Sequence, residues 1–393
     1  MLKTLAQEDY MDKFNSKQFL FIILGTCIVS FKTYPNIVIN YGKRDAWIAT
    51  LIASILVFIF YIYILKICLK TNSYNVHKIY TSALGSTLGN IFYVFFTFTM
   101  FLTLIESSAI EANSMHQNML LETPPWYILL FFVISAGYAV SKGLRPLILI
   151  TIVGIVFVML AGINLGVLTA KYKENKYLYP ILQYGFNKDM IIATIKSLGM
   201  YSAVGITFPY LNEVFDKKNI IRGSIVGLLI VLQMEIYSII GVITTFGYKR
   251  AVTIYYPKLL QTQLVKHFDF LESGELFVML QIVGGWFIKY CITFYALLKL
   301  LEAFNIKSKK SSIGIISVSV FVISYFAEKN SFKFLNFLIY YNYISLINFI
   351  IIPGIIFTVY YIKKADNKSR KDTDTKENSN QNNNMSLIIP KQK

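Results

Sequence analysis

Six ionisable side chains interrupt otherwise apolar stretches. Glu106 and Glu111 lie in "LIESSAIEANSMHQN", Glu235 in "LLIVLQMEIYSIIG" and Lys289 in "GGWFIKYCITF", while Lys32 and Lys196 stand in two further apolar runs. A charge held in hydrocarbon costs several kcal/mol, so each needs an opposite charge, a water-lined path or a ligand. Glu106 lies about 16 residues into its run and Lys289 about 15 into its own, too deep for their heads to reach water easily. Glu106 is therefore expected to face the interior of a helix bundle, among the groups that bind a ligand. Lys289 is expected to balance charge or to take part in gating, with simple Glu–Lys pairing as the alternative. Glu111, nearer the end of its run, has solvent within reach.

The backbone offers a second kind of chemistry. The first apolar run reads "FLFIILGTCIVSFKTYPNIVINYG", where Gly25 with Thr26, and then Lys32 with Pro35, break the pattern. The sixth reads "IIATIKSLGMYSAVGITFPYL", broken by Gly199, Ser202, Gly205, Thr207 and Pro209. Unwound backbone inside a membrane must line a cavity, because lipid cannot hydrogen-bond its amides and carbonyls. Helix N-termini there suit a carboxylate and C-termini a cation, a combination that fits a zwitterionic amino acid. The expected ligand-binding residues are Gly25, Thr26, Cys27, Gly199, Tyr201, Ser202 and Gly205, together with Glu106. Glycine leaves room for close approach to the backbone.

Catalytic and metal motifs are absent. His77, His116 and His267 are isolated, and there is no HExxH, no GxxxxGK[ST] phosphate loop and no GxSxG elbow. Cys27, Cys68 and Cys291 are odd in number and far apart, which excludes a disulfide framework or zinc site. No enzyme activity, metal or cofactor is expected.

These residues must be positioned by membrane helices. Of 393 residues, 55% are hydrophobic and 15% charged, against roughly a quarter charged in soluble domains. Apolar runs of spanning length, about 20 residues each, fall near 18–40, 46–68, 90–113, 126–141, 146–169, 190–210, 223–246, 275–301, 311–327 and 335–361. The chain thus reads as an all-α integral membrane protein of about ten transmembrane helices. The interrupted runs stand first in each half, which predicts a five-plus-five inverted-repeat transporter fold with helices 1 and 6 broken. Residues 1–17 form a polar N-terminal segment, 18–362 the transmembrane domain, and 363–393 a basic tail expected to be disordered. The net charge of +17 is loop charge held against anionic lipid rather than a nucleic-acid surface. With the N-terminus inside, 23 of the 38 Lys and Arg fall on inner segments, 12 on outer ones and three within spans, which puts both termini in the cytoplasm. Segments 75–88 and 256–270 are amphipathic and are expected to lie along the membrane surface.

The opening "SKQFLFIILGTCIV" and "YPNIVINYGKRDAWIATLIA" resemble the B subunits of spore germinant receptors, with Gln18, Gly25, Thr26, Pro35, Asp45, Ala46, Trp47 and Ile48 matching in order. A looser match follows in "YYPKLLQTQLVKHFDFLESGELF" and "GGWFIKY", carried by Tyr256, Pro257, Glu275, Phe277, Phe287 and Lys289. The chain departs from the pattern at Ser273, where the family has Arg, at Lys32, and after Gly199, where an acid is usual. The resemblance spans residues 15 to 362. It implies the amino acid/polyamine/organocation transporter fold and a place in the spore inner membrane. It also implies a membrane-anchored A subunit and a lipoprotein C subunit as partners, and a nutrient germinant, an amino acid or similar small molecule, as ligand. The alternative is a proton- or cation-coupled amino acid or polyamine symporter.

Overall fold

The computed structural model describes residues 13–183, 185–264, 273–306 and 310–366. Among them the structure is helical, and the single β-bridge joins Phe14 to Val214. Every apolar run of the sequence becomes a helix, and eight helical stretches are long and apolar enough to cross a membrane. The 18-residue helix Ser16–Thr33 and the 17-residue helix Pro125–Ser141 complete the set of ten. Of the terminal segments, residues 1–12 and 367–393 fall outside the described residues.

Span 1 begins with a capping box: the Asn15 side chain accepts from the Gln18 amide at 2.8 Å, and the Gln18 side chain accepts from the Asn15 amide at 2.9 Å. The helix runs unbroken through Gly25, Thr26 and Cys27 to Thr33, turns at Tyr34–Pro35, and resumes as Asn36–Gly42. Span 1 is therefore broken, but at the second of its two interruptions. Proline lacks the amide that would continue the ladder, whereas a lone glycine in a helix costs only about 1 kcal/mol. Span 6 is α-helical over Lys188–Tyr201 and tightens into 3-10 geometry over Ser202–Asn212, which contains Pro209.

The remaining spans are Ala46–Thr71, Ser86–Asn118, Pro125–Ser141, Leu144–Leu168, Ile220–Thr253, Ser273–Leu301, Lys310–Glu328 and the stretch from Ser331 onward, which passes through a π-turn at Ile347–Ile351. Span 1 packs chiefly on spans 7 and 8, and span 8 on spans 5 and 3. Close approach of spans 1 and 7 depends on Gly223, where a Cβ would come 2.4 Å from the Ser16 carbonyl oxygen.

Of the two amphipathic segments, Val76–Leu84 is a short helix that turns Val76, Ile79, Tyr80 and Ala83 inward. The other corrects the expectation of a surface helix. Pro257–Gln263 buries Pro257, Lys258, Leu259, Gln261 and Thr262. It packs on spans 1, 7 and 8, so its polar face meets protein rather than water. Residues 265–272, including His267, lie outside the described set.

Candidate functional site

Two polar centres occupy the interior. The first sits at the break in span 1. Lys289 Nζ of span 8 donates to Glu106 Oε2 of span 3 at 2.7 Å and to Ser30 Oγ at 3.0 Å. The Tyr34 hydroxyl, at the break, donates to Glu106 Oε1 at 2.5 Å. Trp286 Nε1 donates to Thr33 Oγ1 at 3.0 Å, and its ring stacks on Tyr34 with centroids 6.2 Å apart. Lys289 is 1% exposed and Glu106 0%. Glu106 therefore faces the interior, as its depth requires, and Lys289 is its partner. Both carboxylate oxygens are occupied and the ammonium has two acceptors, so this centre is closed: it pins the turn of span 1 between spans 3 and 8.

The second centre is open. Lys32 of span 1, Tyr201 at the end of the α-helical part of span 6, and Glu235 and Ser238 of span 7 are all buried. Lys32 Nζ, the Tyr201 hydroxyl, both Glu235 carboxylate oxygens and Ser238 Oγ have no hydrogen-bond partner among the described residues. Glu235 stands within electrostatic reach of Lys32 and Lys258, and Tyr201 and Cys27 stand within reach of Glu235. Lys32 and Glu235 nevertheless form no ion pair. Buried polar groups are satisfied in the great majority of cases, and a desolvated charge left alone is costly. A cluster of opposite charges held apart is a place for a third party.

The expected site residues divide between these centres and ordinary packing. Cys27 and Tyr201 adjoin the open centre, and the Tyr201 ring lies 4.6 Å from that of Phe31. Glu106 and Lys289 form the closed one. Thr26 spends its hydroxyl on the Ile23 carbonyl at 3.0 Å, and Ser202 on the Gly199 carbonyl at 2.6 Å. The glycines serve helix contact rather than ligand approach. A Cβ at Gly25 would lie 2.7 Å from Ile292 Cδ1, one at Gly199 2.6 Å from the Asn342 carbonyl oxygen, and one at Gly205 2.6 Å from Phe349 Cβ. Glu111 is also corrected: it is buried, and its Oε2 has no partner among the described residues. Lys196 meets the faces of Tyr41 and Tyr343 at 5.3 and 4.8 Å. Sequence reasoning singled out Lys32 and Glu235 as buried charges but left them out of the pocket. It missed Tyr34, whose place directly before Pro35 was the available signal. Among the described residues no three His, Cys, Asp or Glu side chains gather as a metal site.

The chain matches the family described as "Spore germination protein" over residues 13–333. It is 26% identical over 305 residues to spore germination protein KB of Bacillus subtilis (strain 168), covering 70% of this chain and 75% of that one. It is 21% identical over 312 residues to spore germination protein XB of Bacillus anthracis, covering 79% and 86%. Among solved structures it resembles MhsT in complex with L-phenylalanine, a transporter, with a TM-score of 0.65 at 12% identity, over 90% of this chain and 93% of that one. That likeness establishes the inverted-repeat transporter fold. Together the family and the fold make this a non-enzymatic membrane protein. The chain belongs to the spore germination protein family.

Proposed function

We propose that this protein is the nutrient-sensing B subunit of a spore germinant receptor, and that an amino acid binds in mid-membrane where spans 1, 6 and 7 meet. The observation that carries the reading is the unpaired Lys32 and Glu235, two opposite charges buried without a partner among the described residues. A zwitterion supplies both missing charges: its carboxylate to Lys32 and its ammonium to Glu235, with the Tyr201 hydroxyl and Cys27 beside it. Thr26, Ser202, Gly25, Gly199 and Gly205 then shape the walls from behind, through helix bonds and packing. Glu106 and Lys289 hold the turn of span 1 and couple it to spans 3 and 8, a position from which ligand binding can be passed on.

In this reading the protein sits in the spore inner membrane with both termini cytoplasmic and works beside an A subunit and a lipoprotein C subunit. The alternative, a proton- or cation-coupled symporter, draws support from the transporter fold shared with a phenylalanine-bound relative in structure. Amino acid binding and uptake measured together in reconstituted vesicles separate the two. Saturable binding without accumulation supports the sensor, and accumulation supports the symporter. Glu235→Gln removes the counter-charge for the ammonium and is expected to weaken amino acid binding at least tenfold while the protein still reaches the membrane. Unchanged binding in that variant refutes the site.

A further inference from the structure

A cavity of about 610 Å³ opens between the C-terminal half of span 5 and the middle of span 7. Lys32 of span 1, Gln233, Tyr237 and Ser238 of span 7, Gln281 of span 8 and Lys258 of the Pro257–Gln263 helix supply its polar lining. Apolar side chains, Ile163 and Met234 among them, supply the rest. A volume of this size lies within the range of small-molecule sites.

Three features give the cavity a sign. No acidic residue is among those that line it; its charged groups are Lys32 and Lys258. A third ammonium, that of Lys173, stands at the rim, donating to the Tyr237 hydroxyl at 3.2 Å and the Gly166 carbonyl at 3.4 Å. Lys32 Nζ, Ser238 Oγ and Gln281 Oε1 are buried and have no partner among the described residues. Gly162 and Gly166 of span 5 let Gln281 and Tyr237 pack close at its wall: a Cβ at Gly162 would lie 2.7 Å from Gln281 Nε2, and one at Gly166 2.9 Å from the Tyr237 hydroxyl. Burial, with Lys173 and Lys32 beside it and only Glu235 opposing, pushes the Lys258 ammonium down to about 7. Converging cations in a half-apolar cavity lack an anion.

From this geometry we infer that the cavity takes a small monocarboxylate with an apolar body, and that this ligand shares Lys32 with the zwitterion site, so that the two ligands exclude each other. The carboxylate lies between Lys258 and Lys32, with Ser238 and Gln281 completing its hydrogen bonds, and the apolar body lies along Ile163 and Met234. The ligand needs no ammonium, because Glu235 is not part of the lining. The inference shares Lys32 with the proposed amino acid site but does not need Glu235, so either reading can fail without the other. The same chemistry, an anionic head on an apolar body, is also present in bilayer lipids, and the cavity mouth at Ile163 is exposed.

The test uses the full chain in phosphatidylcholine nanodiscs, with radiolabelled pentanoate and its uncharged isostere pentanamide as probes. Pentanoate is expected to bind saturably and pentanamide at least tenfold more weakly. Lys258→Met should weaken pentanoate at least tenfold, and Lys258→Arg should keep it. Ile163→Trp, a change at an exposed position, should fill the mouth and abolish binding even if Lys258→Met fails to fold. Phosphatidylglycerol in place of part of the phosphatidylcholine identifies the source. Displacement of pentanoate assigns the anion to the bilayer, and unchanged binding assigns it to solution. Equal binding of acid and amide, or pentanoate binding unaltered by Ile163→Trp, overturns the site. Because pentanoate carries no ammonium for Glu235, the Glu235→Gln variant measured with an amino acid separates failure of the zwitterion reading from failure of this one.

Discussion

Replacing Lys289 by Met keeps the length of the side chain and removes its charge. Glu106 then retains the Tyr34 hydroxyl on Oε1 but loses its cation on Oε2, at a position with no solvent exposure. Ser30 loses its donor as well. Breaking one side of a buried ion pair costs about 3–5 kcal/mol, because the surviving charge is left desolvated. Against a total stability of about 5–15 kcal/mol, Lys289→Met should be depleted from the membrane. In nanodiscs its thermal midpoint should fall by roughly 5–10 °C. The double variant Glu106→Gln/Lys289→Met removes both charges and keeps an acceptor for Tyr34, so it should cost under about 2 kcal/mol. The resulting coupling of at least about 2 kcal/mol is the quantity to measure in a double-mutant cycle. The double variant also separates packing from signalling. In the receptor reading proposed above, a charge pair that takes part in gating gives a double variant that folds and binds the amino acid but does not trigger germination. A single variant as stable as wild type, or a cycle in which the two changes simply add, refutes the reasoning.

Three further outcomes follow from the same geometry. Tyr34→Phe keeps the stack on Trp286 and loses the bond to the Glu106 carboxylate, which should lower stability by about 1.5–3 kcal/mol in thermal unfolding. Gly199→Ala drives a Cβ against the Asn342 backbone carbonyl, whereas Gly25→Ala meets isoleucine methyl groups that can shift. The first should therefore cost about 1–3 kcal/mol and the second less, both read as membrane abundance rather than as loss of one ligand. Lys258, facing Lys173, Lys32 and Glu235, loses its proton as pH rises through about 7. Pentanoate affinity should therefore fall about tenfold between pH 6 and pH 8, and a pH-independent affinity in titrations at both values would remove Lys258 from the site.

The number and order of the spans were legible because apolar runs of spanning length have few other uses. The depth of Glu106 and Lys289 was legible for the same reason: hydrocarbon leaves a buried charge little choice but a partner. What the sequence could not separate was glycine used for unwinding from glycine used for packing. Gly25 and Gly199 look alike on paper. Both lie inside continuous helix, and their purpose appears only when Ile292 and Asn342 arrive from distant parts of the chain. Periodicity in 256–270 correctly marked a two-faced helix, but it does not say whether water or protein covers the polar face. Lys258 was misplaced for that reason. Glu111 was misjudged similarly, since nearness to the end of a run does not show how many neighbours close over it.

The β-bridge at the start of the chain has a mechanical consequence. Phe14 exchanges amide bonds with Glu213 and Phe215 at 3.1 and 3.0 Å, and Asp216 takes both the amide and the hydroxyl of Ser16 at 2.6 and 2.7 Å. The entry to span 1 is thereby clamped to the exit of span 6. At their opposite ends Asn36–Gly42 packs against Lys188–Tyr201. The two broken spans are thus fastened to each other at both extremities, with their changes of helical geometry, at Tyr34–Pro35 and beyond Tyr201, lying between the fastenings. They form a closed frame, tied at both corners, in which the turn of span 1 and the 3-10 stretch of span 6 face each other between the two fastenings.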